Sequence, residues 1–310
     1  MKAAACMAAL ALQFGLQPLL NRAFAGQVAS RTMLVVVGEG AKLLLATTTL
    51  VVKARTTPDL VRHWTLRDSL RLSGLPAVTY AIQNVLIQLA MQHLSPLEFN
   101  LINQTKLLWT ALFVYLFLHK PFSLQQCGAM GMLLLASVLL SAPSAASDAN
   151  VEAITISSTR FYYGYVPVVG ASVLSGVGAA LTQLSLQTHG RDASLVTIEL
   201  CVFGAVFLLA NLAAAPGATL DFGGWTSWTL IPVFTNALGG LLVGTVTQLA
   251  GGIMKSYALI GGILLTAVAE ALLDTDAPVL SLRMGIATAL VVSSMVIYSK
   301  YPYVTKAKQA

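Results

Sequence analysis

Leu97-Glu-Phe-Asn-Leu-Ile-Asn-Gln-Thr-Lys106-Leu-Leu-Trp-Thr-Ala-Leu-Phe-Val-Tyr-Leu-Phe-Leu118 decides the class of fold. Only Glu98 and Lys106 carry charge in these 22 residues, and the run from Leu107 to Leu118 carries none. That length matches the ~20 residues an α-helix needs to cross the hydrocarbon core of a bilayer. The pattern recurs along the chain. Apolar runs fall near 3–20, 33–52, 72–94, 97–118, 122–142, 161–187, 194–215, 228–250, 253–273 and 279–300, which predicts an all-α membrane protein of ten transmembrane helices.

Composition points the same way. The chain has 310 residues, 56% hydrophobic and 10% charged, with mean hydropathy +0.77, too little polar surface to coat a water-soluble globule. The net charge of +6 does not indicate nucleic acid, because the basic residues cluster between the apolar runs, as a bilayer's cytoplasmic face selects. Lys2, the apolar stretch to Leu16 and Ala23-Phe24-Ala25 imitate a signal peptide, yet an uncleaved helix over 3–20 has bilayer length and keeps the count at ten. Cys6, Cys127 and Cys201 lack CxxC or Cys/His spacing, so neither a disulfide framework nor a metal site is expected. There is no GxxxxGK[ST], HExxH or GxSxG, and Gly38-Glu39-Gly40 falls short of a dinucleotide fingerprint. These absences predict a protein that is not an enzyme and carries no cofactor.

Orientation follows from the basic residues. With the N-terminus in the cytosol, eleven lie on the cytosolic side: Lys2, Lys53, Arg55, Arg62, Arg67, Arg71, Lys120, Arg191, Lys300, Lys306 and Lys308. Four lie opposite: Arg22, Arg31, Arg160 and Arg283. Both termini are therefore expected in the cytosol. Pro121, Ser123-Leu124 and Gly128 after one span are echoed by Pro278, Ser281-Leu282 and Gly285 after another. The polar, Pro-containing stretch 142–150 links the two sets. A single transporter domain over 1–310, with repeat halves about 1–142 and 161–300 of five spans each, would place the second half inverted in the membrane. Cargo is then expected at mid-membrane between the halves.

The intramembrane polar residues are the candidates for that cargo. A lysine at mid-bilayer costs about 2.5–3.5 kcal/mol on insertion scales, so Lys42, Lys106 and Lys255 need partners, water or a ligand. Glu39 and Lys42 sit three apart and can form a structural or gating ion pair. Phe99, Asn103 and Lys106, spaced by four and three, read as one stripe that can stack on a base, hydrogen-bond it and neutralise a phosphate. Tyr80, Gln83 and Asn84 share a face suited to sugar or base. Lys255 follows Gly251-Gly252, where a backbone or ligand can approach closely. Glu199, with no basic residue within a helical turn, is either protonated or an acceptor for an exocyclic amine such as that of cytosine.

Glu39-Gly-Ala-Lys42-Leu-Leu-Leu, Tyr80-Ala-Ile-Gln83-Asn84, Gln104-Thr-Lys106 and Gly252-Ile-Met-Lys255 occur in the order and at the spacing of nucleotide-sugar transporters. From the second span through the tenth the chain resembles that family, most of all CMP-sialic acid transporters and their plant-type relatives. The resemblance implies a drug/metabolite-transporter fold in the Golgi membrane. It also implies exchange of cytosolic CMP-sialic acid for luminal CMP by alternating access, with a UDP-galactose/UMP exchanger as the alternative. A channel or an intramembrane enzyme are the competing classes, and a homodimer is the oligomer to be considered.

By the same resemblance Tyr80, Asn84, Lys106 and Lys255 face the nucleotide, the two lysines toward phosphate. Phe99 and Asn103 stand where animal members carry tyrosines. Glu199 and Phe203 replace an asparagine and a tyrosine, while Gln248 and Gly251 replace a lysine and an aspartate. Those departures fall where base or sugar is expected to be discriminated.

Overall fold

In the computed structural model, which describes residues 2–62, 64–141, 158–214, 221–273 and 282–303, every regular element is helical. In chain order the principal helices are α1 (Lys2–Phe24), α2 (Arg31–Thr56), α3 (Leu75–Met91), α4 (Lys106–Leu118), α5 (Leu124–Ser141), α6 (Val166–Gln183), α7 (Ala193–Ala214), α8 (Leu230–Leu273) and α9 (Leu282–Lys300). Eight helices among the described residues are long and apolar enough to cross a membrane, and 124–140 adds a shorter apolar one. The link 142–150, Pro278 and Ser281 of the internal echo, and Lys306 and Lys308 lie outside the described residues.

Local chemistry sets the helix ends. Ser30 caps α2 by accepting the Met33 N–H, and Asp192 precedes α7 with Oδ1 accepting the Ser194 N–H at 2.8 Å. Widened π-type turns, Leu70–Gly74 and Phe161–Tyr165, lead into α3 and α6. Each is followed within two residues by a proline, Pro76 or Pro167, which lacks an N–H for the preceding turn.

α8 is a hairpin rather than a rod. Gln17 of α1 donates to the Pro232 carbonyl (2.9 Å) and accepts from Thr235 (3.0 Å), while the Gly15 carbonyl accepts from Thr266 (2.7 Å). Positions 235 and 266 would be about 45 Å apart in a straight helix, against about 3 Å between positions 15 and 17 of α1. The chain must therefore double back, and it does so at Gly251, whose φ of 88° and ψ of 170° are non-helical. Sequence spacing anticipated this break between runs 228–250 and 253–273.

The helices form two compact units, 1–81 with 181–274, and 82–180 with 275–310, so the divisions fall inside α3 and α6. In the first unit α1 runs along both limbs of α8, and α2 packs on α7 and α8. Small residues permit the close approach: a Cβ at Gly15 would lie 2.7 Å from the Gly262 carbonyl oxygen. Ala41 of α2 and Val233 and Ala237 of α8 form a buried cluster. In the second unit α5 packs on α9, with Gln126 donating to the Tyr298 carbonyl, and Ala90, Leu94, Phe99 and Val168 form a core.

Candidate functional site

The predicted stripe of Phe99, Asn103 and Lys106 crosses a change of hydrogen-bond pattern within one span. A short helix, Pro96–Asn103, is opened by a capping box between Ser95 and Glu98; a turn at Gln104–Thr105 follows, and Lys106 begins α4. Phe99 is buried in the apolar core, whereas Asn103 and Lys106 are half-buried. Gln104 and Thr105 keep right-handed helical dihedrals, so the span 98–118 runs on through a tightened turn of i→i+3 hydrogen bonds. No carboxylate forms an ion pair with Lys106 among the described residues. Glu98, Arg160 and Tyr165 form their own cluster at the start of the short helix, with Arg160 Nη2 at 2.7 Å and the Tyr165 hydroxyl at 2.6 Å from the carboxylate.

On α3, the Tyr80 hydroxyl lies 3.3 Å from Thr182 Oγ1, which joins α3 to α6 within the first unit. Gln83 Oε1 is buried without a hydrogen-bond partner, and Asn84 is exposed. Glu39 and Lys42 form the ion pair their spacing predicted, at 2.5 Å. The Lys42 stem lies against Gly240, where a Cβ would come within 2.8 Å of Lys42 Cδ.

Glu199 is 5% exposed and fully engaged. Arg191 donates to both of its oxygens, Ser73 Oγ donates to Oε2 and Trp64 Nε1 donates to Oε1 at 2.8 Å. No basic residue lies within a helical turn of Glu199 in sequence; the cation that pairs with it stands eight positions earlier, in the turn before α7. Phe203, one turn further along α7, is half-buried, with its ring edge near Gly74.

The turn carrying Arg191 collects other contacts. Lys53 of α2 pairs with Asp192 at 2.8 Å, and Gln248 of α8 donates to the Arg191 carbonyl. Burial pushes the Asp192 carboxyl upward, but the Lys53 ammonium and the Ser194 N–H outweigh it and hold the group below its ordinary value. A cleft of about 480 Å³ opens above this turn, lined by Trp64, Arg71, His189, Arg191, Asp192 and Leu195. None of Trp64, Ser73 and Arg191 stood out in the sequence as site residues. A lone arginine between two apolar runs reads as an orientation signal.

Lys255 lies one helical turn beyond the Gly251 reversal, is half-buried and is not without a partner. The site candidates therefore include two lysines in different settings: Lys106 follows a tightened turn inside the span 98–118, and Lys255 follows the non-helical Gly251.

The chain is similar to the UDP-N-acetylglucosamine transporter ROCK1 of Arabidopsis thaliana, with 37% identity over 308 residues spanning 97% of this chain and 92% of that protein. It is also similar to the human UDP-N-acetylglucosamine transporter, 27% identical over 62% of this chain and 59% of the human protein. The mouse UDP-galactose translocator is 29% identical over 66% of this chain and 52% of its own length. A solved crystal structure at 13% identity superposes with a TM-score of 0.69 over 96% of both chains, a likeness of fold. The family model for nucleotide-sugar transporters matches residues 6–299, and the chain belongs to that family of multi-pass membrane transporters.

Proposed function

We propose that the chain exchanges a cytosolic UDP-sugar, foremost UDP-N-acetylglucosamine, for luminal UMP across the Golgi membrane. The observation that carries this reading is the similarity to the Arabidopsis UDP-N-acetylglucosamine transporter over nearly the whole of both chains. Ten spans with both termini cytosolic are supported by the eight long apolar helices, the shorter 124–140 and the doubling back of α8. A five-plus-five inverted repeat is supported by the sequence echo of Pro121, Ser123-Leu124 and Gly128 in Pro278, Ser281-Leu282 and Gly285, five spans later. In this reading the two lysines neutralise phosphate, Tyr80, Gln83, Asn84, Asn103 and Phe203 contact base or sugar, and Phe99 supports them by packing.

A cytidine cargo, CMP-sialic acid exchanged for CMP, stands second. Its residue-level argument was acceptance of the cytosine amine by Glu199, and both oxygens of that carboxylate already accept hydrogen bonds. The test is uptake into proteoliposomes preloaded with UMP, CMP or GMP and offered labelled UDP-N-acetylglucosamine, UDP-galactose or CMP-sialic acid. The expected result is UDP-N-acetylglucosamine uptake driven by internal UMP. Uptake of CMP-sialic acid driven by CMP alone would overturn the proposal.

A further inference from the structure

The reversal of α8 creates a local problem of hydrogen bonding. Residues 247–250 end one helical limb and 252–255 begin the next, so their carbonyls and N–H groups lose partners they would have in a continuous helix. In a water-poor interior each unsatisfied group is costly, and side chains must replace the missing partners.

Two glutamines do so. Gln187 Nε2 donates to the carbonyls of Thr247 (3.0 Å) and Gln248 (3.2 Å), the end of the first limb. Gln183 Oε1 accepts the N–H of Gly252 at 2.8 Å, the start of the second. Gln183 Nε2 donates to Gln187 Oε1 at 2.9 Å, which joins the two amides into one relay spanning the break. The fit is close: Gln183 is 5% exposed, and a Cβ at Gly251 would lie 2.9 Å from Gln183 Nε2. Gln183 ends α6 and Gln187 sits in the widened turn Leu184–Thr188 that follows, so α6 supplies both.

We propose that Gln183 and Gln187 are positioning residues for Lys255. Lys255 lies three residues after Gly252, so the first turn anchored by Gln183 also sets where its ammonium stands. This inference rests on the reading of Lys255 as a phosphate partner. Without the relay, the start of the second limb loses its fixed geometry and the ammonium its aim, while contacts to base and sugar made elsewhere remain.

The test is binding of UMP and uridine to purified wild type, Gln183→Leu, Gln187→Leu, Lys255→Ala and the Gln183→Leu/Lys255→Ala double variant. Gln183→Leu is expected to weaken UMP by about tenfold, the scale of a lost charge-assisted hydrogen bond, and uridine by less than about twofold. In the Lys255→Ala background the same change is expected to add almost nothing, because it acts through the missing lysine. Equal weakening of UMP and uridine, or full additivity with Lys255→Ala, would overturn the inference. If Gln183→Leu does not fold, Gln187→Leu is read instead: it frees Gln183 Nε2 and the carbonyls of Thr247 and Gln248, a loss confined to UMP is expected, and equal weakening of UMP and uridine overturns the inference. Wild-type protein that binds no UMP overturns the UDP-sugar/UMP exchange reading, and this inference with it.

Discussion

Arg191 grips Glu199 with both terminal nitrogens, Nη1 reaching Oε2 at 2.6 Å and Nη2 reaching Oε1, in a pair whose side chains are only 11% and 6% exposed. Ser73 and Trp64 complete the shell, so α7, the turn before it and the approach to α3 are tied together at one carboxylate. Breaking a buried pair from one side leaves an uncompensated charge, at a cost of about 3–5 kcal/mol, whereas replacing both partners with apolar groups of similar size is often close to neutral. Arg191→Ala is therefore expected to lower the melting temperature in detergent sharply, and Arg191→Met/Glu199→Leu to recover most of the loss. A double variant no more stable than Arg191→Ala would show that Arg191 holds something other than Glu199.

Lys106 and Lys255 are expected to act on charge rather than on base. Lys106→Ala and Lys255→Ala should each weaken UMP by about 1.5–3 kcal/mol, the range for hydrogen bonds to charged groups, and leave the uncharged nucleoside uridine nearly unaffected. Calorimetric titration with both ligands reads the difference. Parallel losses for UMP and uridine would mean that these lysines support the helices they begin.

Gly251 adopts a backbone conformation open essentially to glycine alone, with φ of 88° and ψ of 170°. Gly251→Ala therefore combines strain of about 1–3 kcal/mol with a contact against Gln183, and thermal unfolding should show it. Gly204→Ala, on a helix with open space at the Cβ position, is the control and should leave the melting temperature nearly unchanged.

Asp192 gives the protein an acid-sensitive tie. Its folded pKa is depressed through Lys53 and Ser194, so its contribution is fully present above the unfolded value and fades as pH falls through the folded one. At neutral pH Asp192→Asn is expected to melt below wild type, and the gap should close as the pH drops below about 4. A gap that stays constant across this range would detach Asp192 from the acid response.

Much of the architecture could be read from the residues because lipid allows so few charges: each apolar run stood out, and the gap between 250 and 253 marked the reversal at Gly251. Glu39 and Lys42 were legible as a pair because both sit on one turn of one helix. Glu199 was not, because its partner reaches it through a turn, and periodicity relates only residues on the same helix. The burial of Phe99 against Ala90, Leu94 and Val168 was not legible either, because those partners come from other segments of the chain. The relay of Gln183 and Gln187 left a faint signal: two glutamines four apart in an apolar span, with two adjacent glycines elsewhere in the chain.

Base selection is where the engaged state of Glu199 has its sharpest consequence. Were the carboxylate free, Glu199→Gln would blur the choice between cytosine and uracil, because an amide both accepts from the cytosine amine and donates to the uracil carbonyl. With Arg191, Ser73 and Trp64 occupying both oxygens, the substitution removes a buried charge and leaves the base contacts alone. The expected outcome is a loss of stability with an unchanged ratio of UMP to CMP affinity. Asn84→Ala and Asn103→Ala are expected to shift that ratio instead, by up to about 1–3 kcal/mol if either amide makes a good base contact. Competition binding on the three purified variants, each compared with its own melting temperature, separates the two effects. A ratio that moves in Glu199→Gln and stays fixed in both asparagine variants would return Glu199 to the base-reading set.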